Sequence, residues 1–299
     1  MNNPFPRYVK TIGVAAPASG ADRPRYEASR KLLESFGIRI IEGKHLFETP
    51  APETPAYLSA SDNARAEDLN DMIRNPEIDL ILCLRGGYGT MRLLEKLDWD
   101  TLRMRDLPVV GFSDITALHL AMRSRAAGIP VAGQMAARLA EALADETTQL
   151  SYRRALSVAF HGKFAADNAV PLTILKDGSA HGPLMPVNLT LLTALCGTPW
   201  LPDLSGSVLV IEDIGEPLRK LDRHLSQLAL AGIPQRLAGV VFAQFTDCGS
   251  DAERRNLFRD FSGLVRGPVL SGLAFGHDLP SFSFVYGERA EIRNGNFYV

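Results

Sequence analysis

Apolar and polar positions along the first 135 residues follow two alternating rhythms, and they predict strands and helices in turn. Residues 11–16 (TIGVAA) predict a strand. Residues 24–36 predict a helix, with Tyr26, Leu32, Leu33 and Phe36 on one side and Gly37 as its stop. A strand at 38–42 and a helix from the Ser61-Asp62 cap to Ile73 come next. The run 78–84 (IDLILCL) is apolar nearly throughout, as a strand covered on both faces of a parallel sheet must be. Arg85-Gly86-Gly87-Tyr88-Gly89 then turns into a helix over 90–97. A strand at 108–112, a break at Ser113, a helix over 114–125 and a strand at 129–133 complete the alternation. This pattern predicts an open, doubly wound α/β sheet.

Past residue 135 the rhythm weakens. A polar helix over 146–160 and a strand over 169–175 are predicted in a segment, 141–180, that connects two domains spanning 1–140 and 181–299. In the second domain, helices are predicted at 189–195 and 218–231 and strands at 207–211 and 239–245. Short β segments end the chain, with turns at Gly287 and Asn294-Gly295.

Composition narrows the class. The chain has 299 residues, 46% apolar and 22% charged, with a net charge of −2, so no electrostatic footprint for nucleic acid is expected. Neither a secretory h-region nor an apolar run of membrane-spanning length is evident, and a cytoplasmic protein is expected. Cys83, Cys196 and Cys248 lie far apart without CxxC spacing, so neither a metal site nor a disulfide framework is expected. No cofactor is expected.

Chemistry concentrates at strand ends. A serine where an apolar strand breaks into a helix presents its hydroxyl, with helix N–H groups behind it, which suits a nucleophile. Serine is also an ordinary helix cap, and from these residues alone a cap bonded to the Thr116 N–H is the commoner reading of Ser113. A nucleophile needs a base and an orienting acid. Among the histidines, His45, His161 and His181 fall in polar loops. His119 is expected on the surface, and His224 is expected to pair with Asp222 or solvent. His277 heads a loop after Leu273-Ala274-Phe275-Gly276, and Glu212 is the first carboxylate off the 207–211 strand, with Asp213 expected to face the other side. The Gly86-Gly87 turn suits either an oxyanion hole or a phosphate, although it fits neither the Walker nor the GxGxxG spacing.

Together the segments IGVAAPAS (12–19), LRGGYGTMRLL (84–94), VVGFSDITALHLA (109–121), NLTLLTALCGTP (188–199), LVIEDIGEPLRKLDRHLSQL (209–228) and FGHDLP (275–280) resemble the LD-carboxypeptidase family of serine peptidases, which includes the microcin-immunity peptidases. The resemblance implies a flavodoxin-like N-terminal domain, a β-rich C-terminal domain and a homodimer. It also implies a Ser113, Glu212 and His277 triad, with an oxyanion hole from the N–H groups of Gly87 and Asp114. The implied reaction releases terminal D-alanine from murein tetrapeptide, a muropeptide, during cell-wall recycling. Arg85 or Arg223 is then available for the substrate carboxylate. Two alternatives stay open: a microcin-immunity-type peptidase acting on an acyl-nucleotide conjugate, and a non-catalytic muropeptide binder. Where the family has Gly-Gly before its Asn-Leu, this chain has Pro186-Val187, which is expected to stiffen a turn there. Trp99 and Trp200 are expected in the core.

Overall fold

A computed structural model of the protein describes residues 2–48, 51–162 and 169–299. The expected connecting segment therefore lies partly outside the described residues, at 163–168. The first half builds a parallel sheet from β1 (Thr11–Ala15), β2 (Arg39–Glu42), β3 (Leu80–Cys83), β4 (Pro108–Gly111) and β5 (Ile129–Ala132). Helices α1 (Arg23–Ser35), α2 (Asp62–Arg74), α3 (Trp99–Arg103), α4 (Thr116–Arg125), α5 (Leu139–Ala142) and α6 (Glu146–His161) accompany it. The segment expected as a helix at 90–97 is a 3-10 helix, Thr90–Lys96.

Alternation explains why these strands are apolar at every position. Leu80 and Leu82 enter one hydrophobic cluster with Tyr26, Leu33 and Tyr152, whereas Ile81 and Cys83 enter the other with Leu69, Leu93 and Leu118. Both faces of the sheet are thus covered, so no position on β3 can be polar. α6 packs on the same sheet, where Tyr152, Ala155 and Leu156 are fully buried. Asp145 caps its start by accepting from Thr148 N, and Gly162 ends it at φ +70°.

The rest of the chain forms β6 (Ala169–Pro171), β7 (Thr173–Lys176), β8 (Ala180–Asn188), α7 (Leu189–Ala194), β9 (Val208–Ile214), α8 (Leu218–Leu230), β10 (Gly239–Thr246), α9 (Asp251–Ser262), β11 (Val269–Ser271), β12 (Phe284–Val285), β13 (Arg289–Arg293) and β14 (Asn296–Tyr298). Its eight-stranded sheet runs β6-β14-β13-β8-β9-β10-β11-β7, with parallel β8 to β11 at the centre and antiparallel strands at both sides. β12 does not join it. Phe284 and Val285 pair antiparallel with Ala132 and Val131, giving the first sheet the order β12-β5-β4-β3-β1-β2. Strands 2-1-3-4-5 are in flavodoxin-like order, and the order reverses between β1 and β3, the place where such sheets bind ligands. The fold is therefore a doubly wound parallel sheet joined to a β-rich α/β region, with one apolar cluster running continuously between the two.

Two local expectations are corrected. Pro186 and Val187 form no turn: they lie in β8, paired with Val210 and Ile211, and both are buried. His181 also sits on β8 rather than in a loop, its side chain exposed.

Candidate active site

The carboxyl ends of β1, β3 and β4 converge. Phe112 leaves β4 fully extended (φ −159°, ψ −170°), and Ser113 then adopts φ +62°. A left-handed backbone costs a non-glycine residue about 1–2 kcal/mol, a strain that clusters at functional sites. The Thr116 N–H donates to the carbonyls of Asp114 and Ser113, and no hydrogen bond among the described residues engages the Ser113 hydroxyl. The capping geometry is therefore not formed.

Asp114 anchors this turn to its neighbour. Its carboxylate is buried and accepts from Thr90 N at 2.9 Å, and burial raises its pKa above the ordinary carboxylate range. Across from Ser113 runs the glycine turn. A Cβ on Gly86 would stand 3.0 Å from Ser113 Cβ and 3.3 Å from Asp114 N, and Gly87 has φ +114°. Ser19, after β1, donates its N–H to Gly86 O and accepts from Tyr88 N. Arg65, fully buried on α2, donates to the carbonyls of Pro17, Ala60 and Gly89 and so ties three loops together.

Glu212 and His277 arrive from the second sheet. Glu212 ends up fully buried on β9, with Oε1 accepting from Asn188 Nδ2 at 3.0 Å. His277 Nδ1 lies 2.9 Å from Glu212 Oε2, a contact short of full hydrogen-bond alignment, and neither atom has another hydrogen-bond partner. The ring rests on Phe112, centroids 4.9 Å apart. Gln244 on β10 clamps the histidine loop, accepting from Asp278 N at 3.0 Å and donating to Pro280 O at 3.0 Å. Gly276, at φ +144°, passes so near that a Cβ would sit 2.9 Å from Gln244.

Ser113, His277, Phe112, Gly86 and Gly87 line one cavity of about 310 Å³. Arg25, Arg85 and Arg138 also line it, and Arg223 is not among its lining residues. No hydrogen bond joins Ser113 to His277 in this structure. Among the described residues, no cluster of three or more His, Cys, Asp or Glu side chains could hold a metal ion, and no helix is long and apolar enough to cross a membrane.

The structure also relocates residues that periodicity misplaced. His119 is fully buried, with Nε2 3.0 Å from Val109 O and its ring against Tyr286, because α4 packs on α7 as well as on β5. His224 meets Thr193 Oγ1 at 2.8 Å, not Asp222, because α8 turns this face toward α7. Asp213 does not point away from Glu212: both carboxylates accept from the same Asn188 amide. The Trp99 and Trp200 rings meet at a tilt of 34°, centroids 5.6 Å apart, and pack against the core. Sequence reasoning missed Asn188, Gln244, Arg25 and Arg138. Asn188 gave the only signal, as a helix cap.

Comparison with known proteins agrees with this architecture. Residues 12–133 match the family model of the LD-carboxypeptidase N-terminal domain, and 181–292 match that of its C-terminal domain. A probable murein peptide carboxypeptidase of Bacillus subtilis is 32% identical, over 94% of this chain and 88% of its own. The murein tetrapeptide carboxypeptidase of Pseudomonas aeruginosa is 31% identical, over 95% and 93%. The structure of MccF in complex with glutamyl sulfamoyl guanosine shares the fold, with TM-score 0.83 at 21% identity, covering 99% of this chain and 97% of that one. Matched in both halves, and aligned over nearly its whole length with two carboxypeptidases, this chain belongs to the LD-carboxypeptidase family.

Proposed function

We propose that the protein is a serine carboxypeptidase that hydrolyses the amide between an L-centre and a terminal D-residue, releasing D-alanine from murein tetrapeptide. The observation that carries this reading is the 2.9 Å approach of Glu212 to His277 beside a cavity shared with Ser113. Glu212 at Nδ1 holds the imidazole in the tautomer whose Nε2 is free to take a proton. Ser113 Oγ attacks the carbonyl carbon as its proton passes to His277. The Gly87 and Asp114 N–H groups bind the oxyanion, each worth roughly 10²–10³ in rate. The imidazolium then protonates the leaving nitrogen, D-alanine departs, and water attacks the acyl-enzyme with His277 again as base. The Ser113–His277 hydrogen bond is one that closes in the substrate complex.

Arg25 and Arg85 give the cavity, which Asp22 also lines, cationic groups suited to the free carboxylate of a C-terminal residue, while Arg138 is paired with Glu141. Residues 1–140 carry the nucleophile and 181–299 the acid and base, with 141–180 between them. The family resemblance further implies a cytoplasmic homodimer without cofactor.

MccF, the microcin C7 self-immunity protein, supports a second reading, cleavage of a peptidyl-nucleotide conjugate. The small cavity favours the peptide, since Phe112 is the one aromatic residue besides His277 among its lining residues and leaves little surface for stacking a base. Incubation with murein tetrapeptide and, separately, with a microcin-type conjugate, followed by mass, decides between them. Loss of one alanine from the tetrapeptide is expected. Cleavage of the conjugate alone would overturn the assignment.

A further inference from the structure

Two buried carboxylates stand side by side at the end of β9, and the reaction outlined above uses only one. Asp213 is as enclosed as Glu212, with 2% of its surface exposed. Among the described residues, no lysine or arginine pairs with either. What lies between them is an amide. Asn188 Nδ2 donates one N–H to Glu212 Oε1 at 3.0 Å and the other to Asp213 Oδ1 at 3.1 Å. Its Oδ1 accepts from Leu191 N at 3.1 Å at the start of α7. Both donors and the acceptor are thus engaged, and the amide has one orientation only.

Asp213 is itself held from three further directions. Ile214 N reaches Oδ1 at 2.8 Å, and Thr190 gives Oδ2 both its N–H at 3.1 Å and its hydroxyl at 2.8 Å. Four donors on one carboxylate are more than neutral packing requires, and they fix an anion in place.

We propose that Asp213 is a positioning residue for this peptidase: through the Asn188 amide it fixes Glu212 Oε1, and so aims Oε2 at His277. This rests on the assignment of Glu212 and His277 made above. In an Asp213→Asn side chain, an NH₂ in place of Oδ2 faces the Thr190 N–H, and an NH₂ in place of Oδ1 faces the Ile214 N–H and the Asn188 amide. In either orientation donors oppose donors in a dry site, and the Asn188 amide loses its fixed hold on Glu212. The negative charge of Asp213 also lies behind Glu212, where it favours the imidazolium that forms as Ser113 attacks. Burial first, and then the neighbouring Glu212 charge, push the Asp213 carboxyl up to about 6. The titratable groups facing it are Glu212 on its own strand, Cys248 after β10 and, across Thr190, His224 from α8. As pH falls through 6 the charge behind Glu212 is lost, which steepens the acid limb of the rate profile.

The test compares Asp213→Asn and Thr190→Val with the wild-type protein on murein tetrapeptide across pH 5–8. In Asp213→Asn, kcat is expected to fall by about 10- to 100-fold, the range for supporting hydrogen-bond partners, with KM within about twofold. The acid limb should lose one of its two protons. Thr190→Val removes a single donor, keeps the carboxylate, and should lower kcat a few-fold with the same steep limb. A wild-type profile in Asp213→Asn, or a loss carried wholly by KM, overturns the proposal. If Asp213→Asn does not fold, an unchanged kcat in Thr190→Val overturns it. If the wild-type protein cleaves no peptide, the proposed function fails, and ¹⁵N-labelled His277 decides the Asp213 question. A Nδ1–H resonance displaced in Asp213→Asn supports the positioning role, and an identical one refutes it.

Discussion

Gly86 and Ser113 face each other so closely that a β-carbon on the glycine would stand 3.0 Å from the serine Cβ and 3.1 Å from its Oγ. Space, not backbone freedom, is what the glycine supplies at this position. Gly86→Ala is expected to fold with about 1–2 kcal/mol lost, because the new methyl meets the Ser113 side chain at 3.0 Å and the Asp114 backbone N at 3.3 Å. Its kcat should fall by about tenfold, since the Ser113 side chain must give way by a few tenths of an ångström, and a full 1 Å misplacement costs about 100-fold. Steady-state kinetics alongside a urea titration would show the two effects separating.

Glu212→Gln has a specific expected outcome, because Asn188 dictates which way the new amide points. Its Oε1 must accept from Asn188 Nδ2, which leaves its NH₂ facing His277 Nδ1. The imidazole then has to accept at Nδ1 and carry its proton on Nε2, the wrong tautomer for a base. A loss of about 10⁴ in kcat with the fold intact is expected, as for the equivalent change in other triads. Activity within tenfold of wild type would remove Glu212 from the mechanism.

The strained Ser113 backbone gives a pair of variants that share one defect and differ in another. Ser113→Ala and Ser113→Gly both lack the hydroxyl and should both be inactive. Only glycine relieves φ +62°. Ser113→Gly should therefore be more stable than Ser113→Ala by about 1 kcal/mol, measured by urea denaturation.

His119 should make the fold acid-sensitive. Burial pulls its pKa down to about 3, against the hydrogen bond to Val109 O that raises it. The unfolded chain takes up this proton near ~6.5, so the contribution is complete above that pH and is lost as pH falls toward 3. His119→Gln keeps a donor for Val109 and cannot titrate. Between pH 7 and pH 5 its stability should fall by about 2 kcal/mol less than that of the wild-type protein.

The legible parts of this fold are those whose signals are local. β3 is read directly from its apolar run because both its faces are covered, and the Ser113 turn from the abrupt end of β4. β8 is not legible: Gly182, Pro183 and Pro186 erase its period, and parallel pairing with β9 holds it all the same. α9 escapes for the opposite reason. Its capping box, Ser250 with Glu253, is plain, but its first two turns are so polar that only Phe258, Phe261 and Ser262 are buried. In the site, Ser113, Glu212 and His277 each stand at a strand end or loop head that marks them. Gln244 and Asn188 act by reaching across to another segment, and nothing along the chain announces that.

β12 has a consequence for how firmly the histidine is seated. Phe284 and Val285, which close the edge of the sheet bearing Ser113, follow on the strap from β11 of the other sheet, and His277 rides on that strap. Its two ends are thus moored in different sheets. Unzipping the β12–β5 pairing would slacken the imidazole's perch as well, so edge repair and ring alignment are a single event.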